Sequence, residues 1–501
     1  MPGRRVVSIA PLASAIALAM LYAATRARIQ TWETIAQVAR VTGDPLLAER
    51  YTSTRLFHPQ HLLVLPFALP WHHALAALGL ARDPFLPLQL LNAACGALAA
   101  FLAGRIAVRL GASERRALAV MLAAGLAAAP WQYATEIAAI TPSLAAMLMA
   151  AWLTIERRPV AAGVTMAAAV LLHQLAVLPA AVTFLGWMAA ARGGRVRRRD
   201  VLAFGLACAA PIALAYMLVG VLYAHATAPA QFAGWVVTAG HRATFAPGRP
   251  VAMAFQTARG LIESVVSLDA VARYRSGGPA GPAGLALAAM LATGLAAAAT
   301  LRGARRRGSP GHPFLGSIAL SGVALTAFVG WYQPWNHVFW VFVPPFAAIL
   351  AGVLAPSPGR ARVVVPLALA VLGVSNLIGA QWPRCDAERA PYSDLVAFGR
   401  SHFHAGDLLV TDPGRTVLGE GLVALPFFTR IELLGVPAPE DTAGTRAFAT
   451  VLARALDERR NVFVMPEAMA QAERVRPLRR DAIGLLRGER VVRVRASGAA
   501  R

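Results

Sequence analysis

The chain has 501 residues, 57% of them hydrophobic and 15% charged, with a mean hydropathy of +0.54. That is far too apolar for a soluble protein of this size, and it leaves a polytopic membrane protein. The formal charge of +23 would suit a nucleic-acid binder in a soluble chain. Here the arginines fall in short clusters between apolar runs, which is the positive-inside pattern, so no nucleic-acid partner is expected. Lysine is absent and Ala, Gly and Arg abound, a composition that reads as coding bias. Cys95 and Cys208 lie inside apolar runs and Cys385 stands alone beyond them, so no disulfide framework is implied.

Taken in order, the charges set the topology. Arg4 and Arg5 place the N-terminus in the cytoplasm. They and the apolar run after them resemble a secretory signal, but so many spans follow that Val6 to Ala24 reads as an uncleaved first helix. It delivers a polar loop, Gln30 to His61, to the outer face. The run from His61 to Leu80, interrupted by Pro66 and Pro70, stays outside as an amphipathic or re-entrant helix. If it crossed, Arg105, Arg109, Arg115 and Arg116 would end on the wrong side. Pro87 to Leu110 then returns the chain.

Basic clusters at both ends of the segment from Arg116 to Arg157 require an even number of crossings. The expected result is a hairpin whose outer tip is Pro130 to Glu136. A second hairpin, Pro159 to Ala191, has its tip at His173-Gln174. Val201 to Tyr223 exits, a long outer segment runs from Ala224 to Pro282, and Ala283 to Leu301 returns. Phe314 to Trp331, His337 to Ala355 and Val363 to Ala380 complete the set. The expected fold is an all-α polytopic membrane domain of about eleven transmembrane helices over 1–380, with outer loops at 25–86 and 224–282. No internal repeat or pair of interrupted half-repeats is visible.

The tail, 381–501, changes composition. A helix around Leu395 to His404, strands at Asp407 to Thr411, Phe427 to Leu433 and Asn461 to Met465, and a helix from Thr445 to Arg459 predict a small extracytoplasmic α/β domain. No Gly-rich phosphate motif opens any of its helices.

Several outer-face stretches together carry a resemblance. They are the polar loop opened by Trp32-Glu33, the run Phe57-His58-Pro59-Gln60-His61-Leu62-Leu63, Tyr133-Ala134-Thr135-Glu136 followed by Pro142-Ser143, and Leu172-His173-Gln174. With the long first outer loop and the α/β tail, this looks like the C-type (GT-C) superfamily of integral-membrane glycosyltransferases. The bacterial branch related to the aminoarabinose and protein mannosyl transferases is the more specific likeness. The resemblance implies a hexosyl- or pentosyltransferase of the bacterial inner membrane. It would take a sugar from a polyprenyl-phosphate donor and pass it to a glycan, lipid or protein acceptor on the outer face. It names no certain cofactor and is compatible with a divalent metal. It also implies an aspartate at the start of the first loop, and the position expected to match, near Gln30, holds an amide.

The residue types fit that chemistry independently. An alcohol is a weak nucleophile at neutral pH, so a carboxylate must orient it or take its proton. A guanidinium would stabilise charge building on a leaving lipid phosphate. Glu33, Asp44 and Glu136 are the candidate catalytic acids. Against them, Glu33 reads as a solvated loop acid, Asp44 as part of the turn Gly43-Asp44-Pro45, and Glu136 as a helix N-terminal charge. Arg273 and Arg275 are the candidate phosphate clamp, with Arg242 as competitor. Arg55, His58, His61 and His173 are further substrate-binding candidates. His58 and His61 sit three apart, but Pro59 disturbs the helix a metal pair would need, and no metal site is assigned. Two rival functions remain. A transporter or flippase of lipid-linked intermediates would need ionisable groups deep in the spans, which are scarce apart from His173. A catalytically silent scaffold would follow from the amide at Gln30.

Overall fold

A computed structural model describes residues 9–43, 57–238, 250–276, 279–304, 312–334, 336–354, 361–412, 421–437, 441–475, 477–486 and 489–496. By contacts the chain forms two compact units, Met1–Ala27 with Leu56–Cys385, and Arg28–Arg55 with Asp386–Arg501.

The first unit is helical. Its first helix is α1 (Ala10–Ala24); α2 (Trp32–Thr42) follows in sequence but groups with the second unit. Next come α3 (Val64–Ala77), α4 (Leu86–Arg109), α5 (Glu114–Leu126), α6 (Ala128–Thr135), α7 (Ile140–Ile155), α8 (Pro159–Leu172), α9 (Val177–Arg192) and α10 (Arg198–Leu218). Then follow α11 (Pro229–Thr238), α12 (Pro250–Val265), α13 (Asp269–Arg275), α14 (Ala280–Ala304), α15 (Leu315–Tyr332), α16 (Val343–Leu354) and α17 (Ala361–Asn376).

Prolines at the first turns of α1, α4 and α8 occupy positions whose N–H would have no helical partner anyway. A single large core of Ala, Leu, Ile and aromatic side chains holds α4 to α10 and α15 to α16 together. Small residues let backbones meet in it: a Cβ at Gly163 of α8 would lie 2.6 Å from the Phe204 carbonyl of α10.

Among the described residues, six helical segments are long and apolar enough to cross a membrane, and seven if α5 and α6, bent by 62°, count as one span. Four shorter apolar helices, Ala10–Ala24, Ile140–Ile155, Pro159–Leu172 and Ala280–Leu295, accompany them. The expected turn at Pro130 to Glu136 is instead mostly helix, as α6. Pro130 occupies the first turn of α6, where a proline is tolerated, and the chain breaks only after it, between Glu136 and Ala139.

The second unit is α/β. Its helices are α18 (Ser393–His402), α19 (Gly421–Thr429), α20 (Thr442–Asp457) and α21 (Pro466–Val475). Its strands are β1 (Leu408–Thr411), β2 (Glu432–Gly435), β3 (Val462–Val464), β4 (Leu478–Leu486) and β5 (Glu489–Ala496). The sheet order is β2-β1-β3-β5-β4, parallel across β2, β1 and β3 and antiparallel across β5 and β4. Leu408, Val410, Val462 and Val464 bury one face against Phe448 and Leu452 of α20 and Ala468 and Ala472 of α21.

The strand expected at Phe427 to Leu433 is corrected to the end of α19 followed by β2. Arg430, at φ 61°, breaks the chain between them. The apolar run Leu425-Pro426-Phe427-Phe428 has no period that separates helix from strand. α2 packs on α19 within this unit, and the Gln30 N–H donates to the Tyr392 hydroxyl at 2.8 Å.

Candidate active site

Two buried asparagines build the site in the helical unit. Asn92 of α4, 3% exposed, donates to the carbonyls of Glu136 at 2.8 Å and Ala138 at 3.1 Å. It thereby satisfies the backbone freed where α6 ends and α7 has not begun. Asn376, at the end of α17, donates to the carbonyls of Leu126 and Val265 and accepts from the Ser267 N–H. It ties the end of α5 and the end of α12 to the link that leads into α13. Beyond Asn376 the chain unwinds slightly into a π-turn, Leu377–Gln381, followed by a short turn, Trp382–Arg384. Such π-turns recur at functional sites.

The break after α6 presents Glu136, which is 2% exposed, and the turn after the π-segment presents Arg384. Their side chains form an ion pair. A carboxylate in an apolar wall is costly unless paired, and Arg384 is that partner.

Arg384 also lines a cavity of about 360 Å³, with Gln132, Tyr133, Glu263, Asp269, Asn336 and His337 among its other walls. Glu263, one turn from the end of α12, is itself buried. Its Oε1 accepts from Arg259 Nε at 3.0 Å, and its Oε2 lies 3.4 Å from His337 Nε2. His337 opens a 3-10 turn, His337–Phe342, capped by the Asn336 side chain on the Val338 N–H. Gly260 lets that turn approach α12: a Cβ there would lie 2.4 Å from Trp340 Nε1 and 2.9 Å from the Pro334 carbonyl. Thr257, Gly260, Glu263 and Ser264 thus form one face of α12 whose small members bring in the neighbours that its acid contacts.

The other sequence candidates fall as follows. Asp44, Arg55 and Arg242 lie outside the described residues. Arg273 is half-buried and donates to the Gly379 carbonyl of the π-turn; Arg275 is exposed. His58, His61 and His173 come together, with ring centroids 5.2 Å apart for His58–His61 and 5.0 Å for His61–His173. Gln174 and Tyr216 hold the group by donating to the Pro59 carbonyl at 3.0 and 2.6 Å. His173 also packs edge-on to Phe339 and Phe342. None of the three histidines lines the cavity. Among the described residues no group of three or more His, Cys, Asp or Glu side chains converges to hold a metal ion.

Glu33 belongs to the other unit. It sits in the first turn of α2, begun by the Thr34 N–H donating to Thr31 Oγ1, and accepts from Gln37 Nε2 at 3.2 Å. Desolvation pushes its carboxyl above the usual range, against the opposing pull of the Gln37 hydrogen bond and the Arg40 charge.

Glu263, His337 and Arg384 were not singled out in the sequence. The separations of 74 residues between Glu263 and His337 and 248 between Glu136 and Arg384 exceed any local spacing rule. The accessible signal was an acid and a histidine in stretches read as loop or span end.

No protein-family model and no curated protein matches the sequence. Solved structures do match. ArnT from Cupriavidus metallidurans, bound to undecaprenyl phosphate, superposes with a TM-score of 0.62 over 98% of this chain and 99% of its own, at 13% identity. The apo form of that protein gives 0.62 over 97% of both chains, at 15% identity. The fold is the GT-C fold. An Archaeoglobus fulgidus oligosaccharyltransferase, in complex with Zn and sulfate, matches 91% of this chain and 68% of its own with a TM-score of 0.50 at 12% identity. The GT-C fold therefore accounts for nearly the whole chain, α/β tail included.

Proposed function

We propose that the chain is a membrane glycosyltransferase that moves a sugar from a polyprenyl-phosphate donor to a hydroxyl on a glycan, lipid or protein. The reaction is placed at the outer face of the bacterial inner membrane. The observation that carries this reading is the near full-length likeness to a protein solved with undecaprenyl phosphate. The cavity of the helical unit supports it, because it offers the unlike charges that transfer from a phosphate requires. The acceptor oxygen attacks the anomeric carbon, the bond from that carbon to the phosphate oxygen breaks, and the polyprenyl phosphate leaves with the electron pair.

Arg384 is the guanidinium assigned to the leaving phosphate, in place of the Arg273 and Arg275 clamp expected first. Its role is electrostatic: a fixed cation at a partly dry wall stabilises charge where it develops. Glu136 orients it. His58, His61 and His173 remain candidate contacts for the substrate, and Glu33 remains the first-loop acid to be tested. The shorter apolar helices would bring the crossings to eleven and set the tail outside.

The test uses the full chain in lipid nanodiscs with a panel of undecaprenyl-phosphate-linked sugars. Its readout is undecaprenyl phosphate released with a lipid, a glycan, a protein or water as acceptor. Release that falls at least about 100-fold in Arg384→Gln is the expected result. No release from any donor by the unaltered chain overturns the reading.

A further inference from the structure

Any transfer to a hydroxyl needs a proton acceptor, and Glu136 is spoken for: it is held by Arg384. The cavity of the helical unit offers another group. We infer that His337, oriented by Glu263, takes the proton from the acceptor hydroxyl as the new glycosidic bond forms. The inference rests on the transferase reading.

Three observations converge on it. The two oxygens of Glu263 serve different partners, Oε1 facing Arg259 and Oε2 facing His337 Nε2. A carboxylate facing Nε2 favours the tautomer with its proton on that nitrogen. The lone pair is then on Nδ1, which makes the ring a base. Both residues line the cavity, Glu263 from its buried side and His337 with its side chain 46% exposed. The pair is also built into the fold by the close approach at Gly260 and by the Asn336 cap that starts the turn at His337. A base within reach of the substrate and held by a third group is the arrangement that activates a weak oxygen nucleophile.

Asp269 lines the same cavity but is exposed and has no ion-pair partner among those described. The charged groups around the imidazole are therefore Glu263, Arg259, Asp269 and, across the cavity, Arg384.

The step balances. The hydroxyl oxygen bonds to the anomeric carbon, and its proton passes to His337. The sugar–phosphate bond breaks onto the phosphate, and the imidazolium returns its proton to solvent. His337 is the catalytic residue and Glu263 the positioning residue.

The full chain in nanodiscs, with any donor that the unaltered chain turns over, tests this. His337→Gln should lower kcat about 100-fold with KM for the donor within about threefold, and Glu263→Gln should give a smaller loss in kcat alone. His337→Ala should regain turnover as imidazole is added, which no purely structural role would produce. Binding of undecaprenyl phosphate, read in parallel, keeps a misfolded variant from passing as a result. His337→Gln that binds and turns over like the unaltered chain overturns the inference and leaves the transferase reading intact. So does an inactive His337→Ala that binds but does not respond to imidazole. An unaltered chain with no turnover on any donor overturns both.

Discussion

Glu33 and Glu136 show how two acids in one apolar chain receive opposite treatment. Burial raises the Glu33 carboxyl, so its folded-state pKa lies above the unfolded value of about 4.3. Its contribution to stability is then complete below that unfolded value and is lost as pH rises through the folded one. Glu33→Gln, which cannot ionise, should therefore raise the melting temperature near neutral pH, with the gain vanishing as pH is lowered toward 4; thermal unfolding at several pH values reads this. Glu136 instead keeps a guanidinium beside it. Replacing it with Gln leaves Arg384 partly buried without its counter-charge, at a cost of about 3–5 kcal/mol. Arg384→Met/Glu136→Leu together should recover much of that stability, and denaturation of the single and double variants compares them. Gln30 could be read as an amide from the sequence, but its anchoring by Tyr392, 362 residues away, could not.

At the scale of elements, the site is a matter of how closely α12 and the His337–Phe342 turn approach. Gly260→Ala places a Cβ where Trp340 and the Pro334 carbonyl already are. It should cost about 1–3 kcal/mol and push His337 away from Glu263. Stability and turnover should fall together, whereas His337→Gln lowers turnover alone. Asn376→Leu strands the Leu126 and Val265 carbonyls and the Ser267 N–H in the interior. At about 1–3 kcal/mol for each unsatisfied group, it should destabilise the helical unit more than any surface change, as thermal unfolding would show. Elements with a plain apolar period or a charged boundary were legible: α4, α15 and β1 fall within two residues of where the sequence puts them. α19 was not, because a short all-apolar run is compatible with either state. The hairpin of β4 and β5 was missed: β4, Leu478–Leu486, lacks apolar alternation, and in β5, Glu489–Ala496, the alternation Val492-Arg493-Val494-Arg495 is short and arginine-rich.

At the scale of the molecule, charge clusters and hydropathy carried the argument a long way because a bilayer allows few ways to satisfy a backbone. The proposed orientation follows from the placement of the arginine clusters. Alkaline phosphatase fused after Arg501 should be active in the periplasm and β-galactosidase at the same point inactive; the reverse pattern would put the tail in the cytoplasm. By itself the sequence determined that the chain is a helical membrane protein with an α/β tail, since composition, period and arginine placement are local quantities that survive in one dimension. Only the tertiary structure decided that the first-loop helix α2 groups with the tail, that Glu136 meets Arg384, and that Glu263 meets His337 across a cavity. Those pairings join segments that are hundreds of residues apart, 248 for Glu136 and Arg384 and more for α2 and the tail, and they exist only where packing brings the elements together.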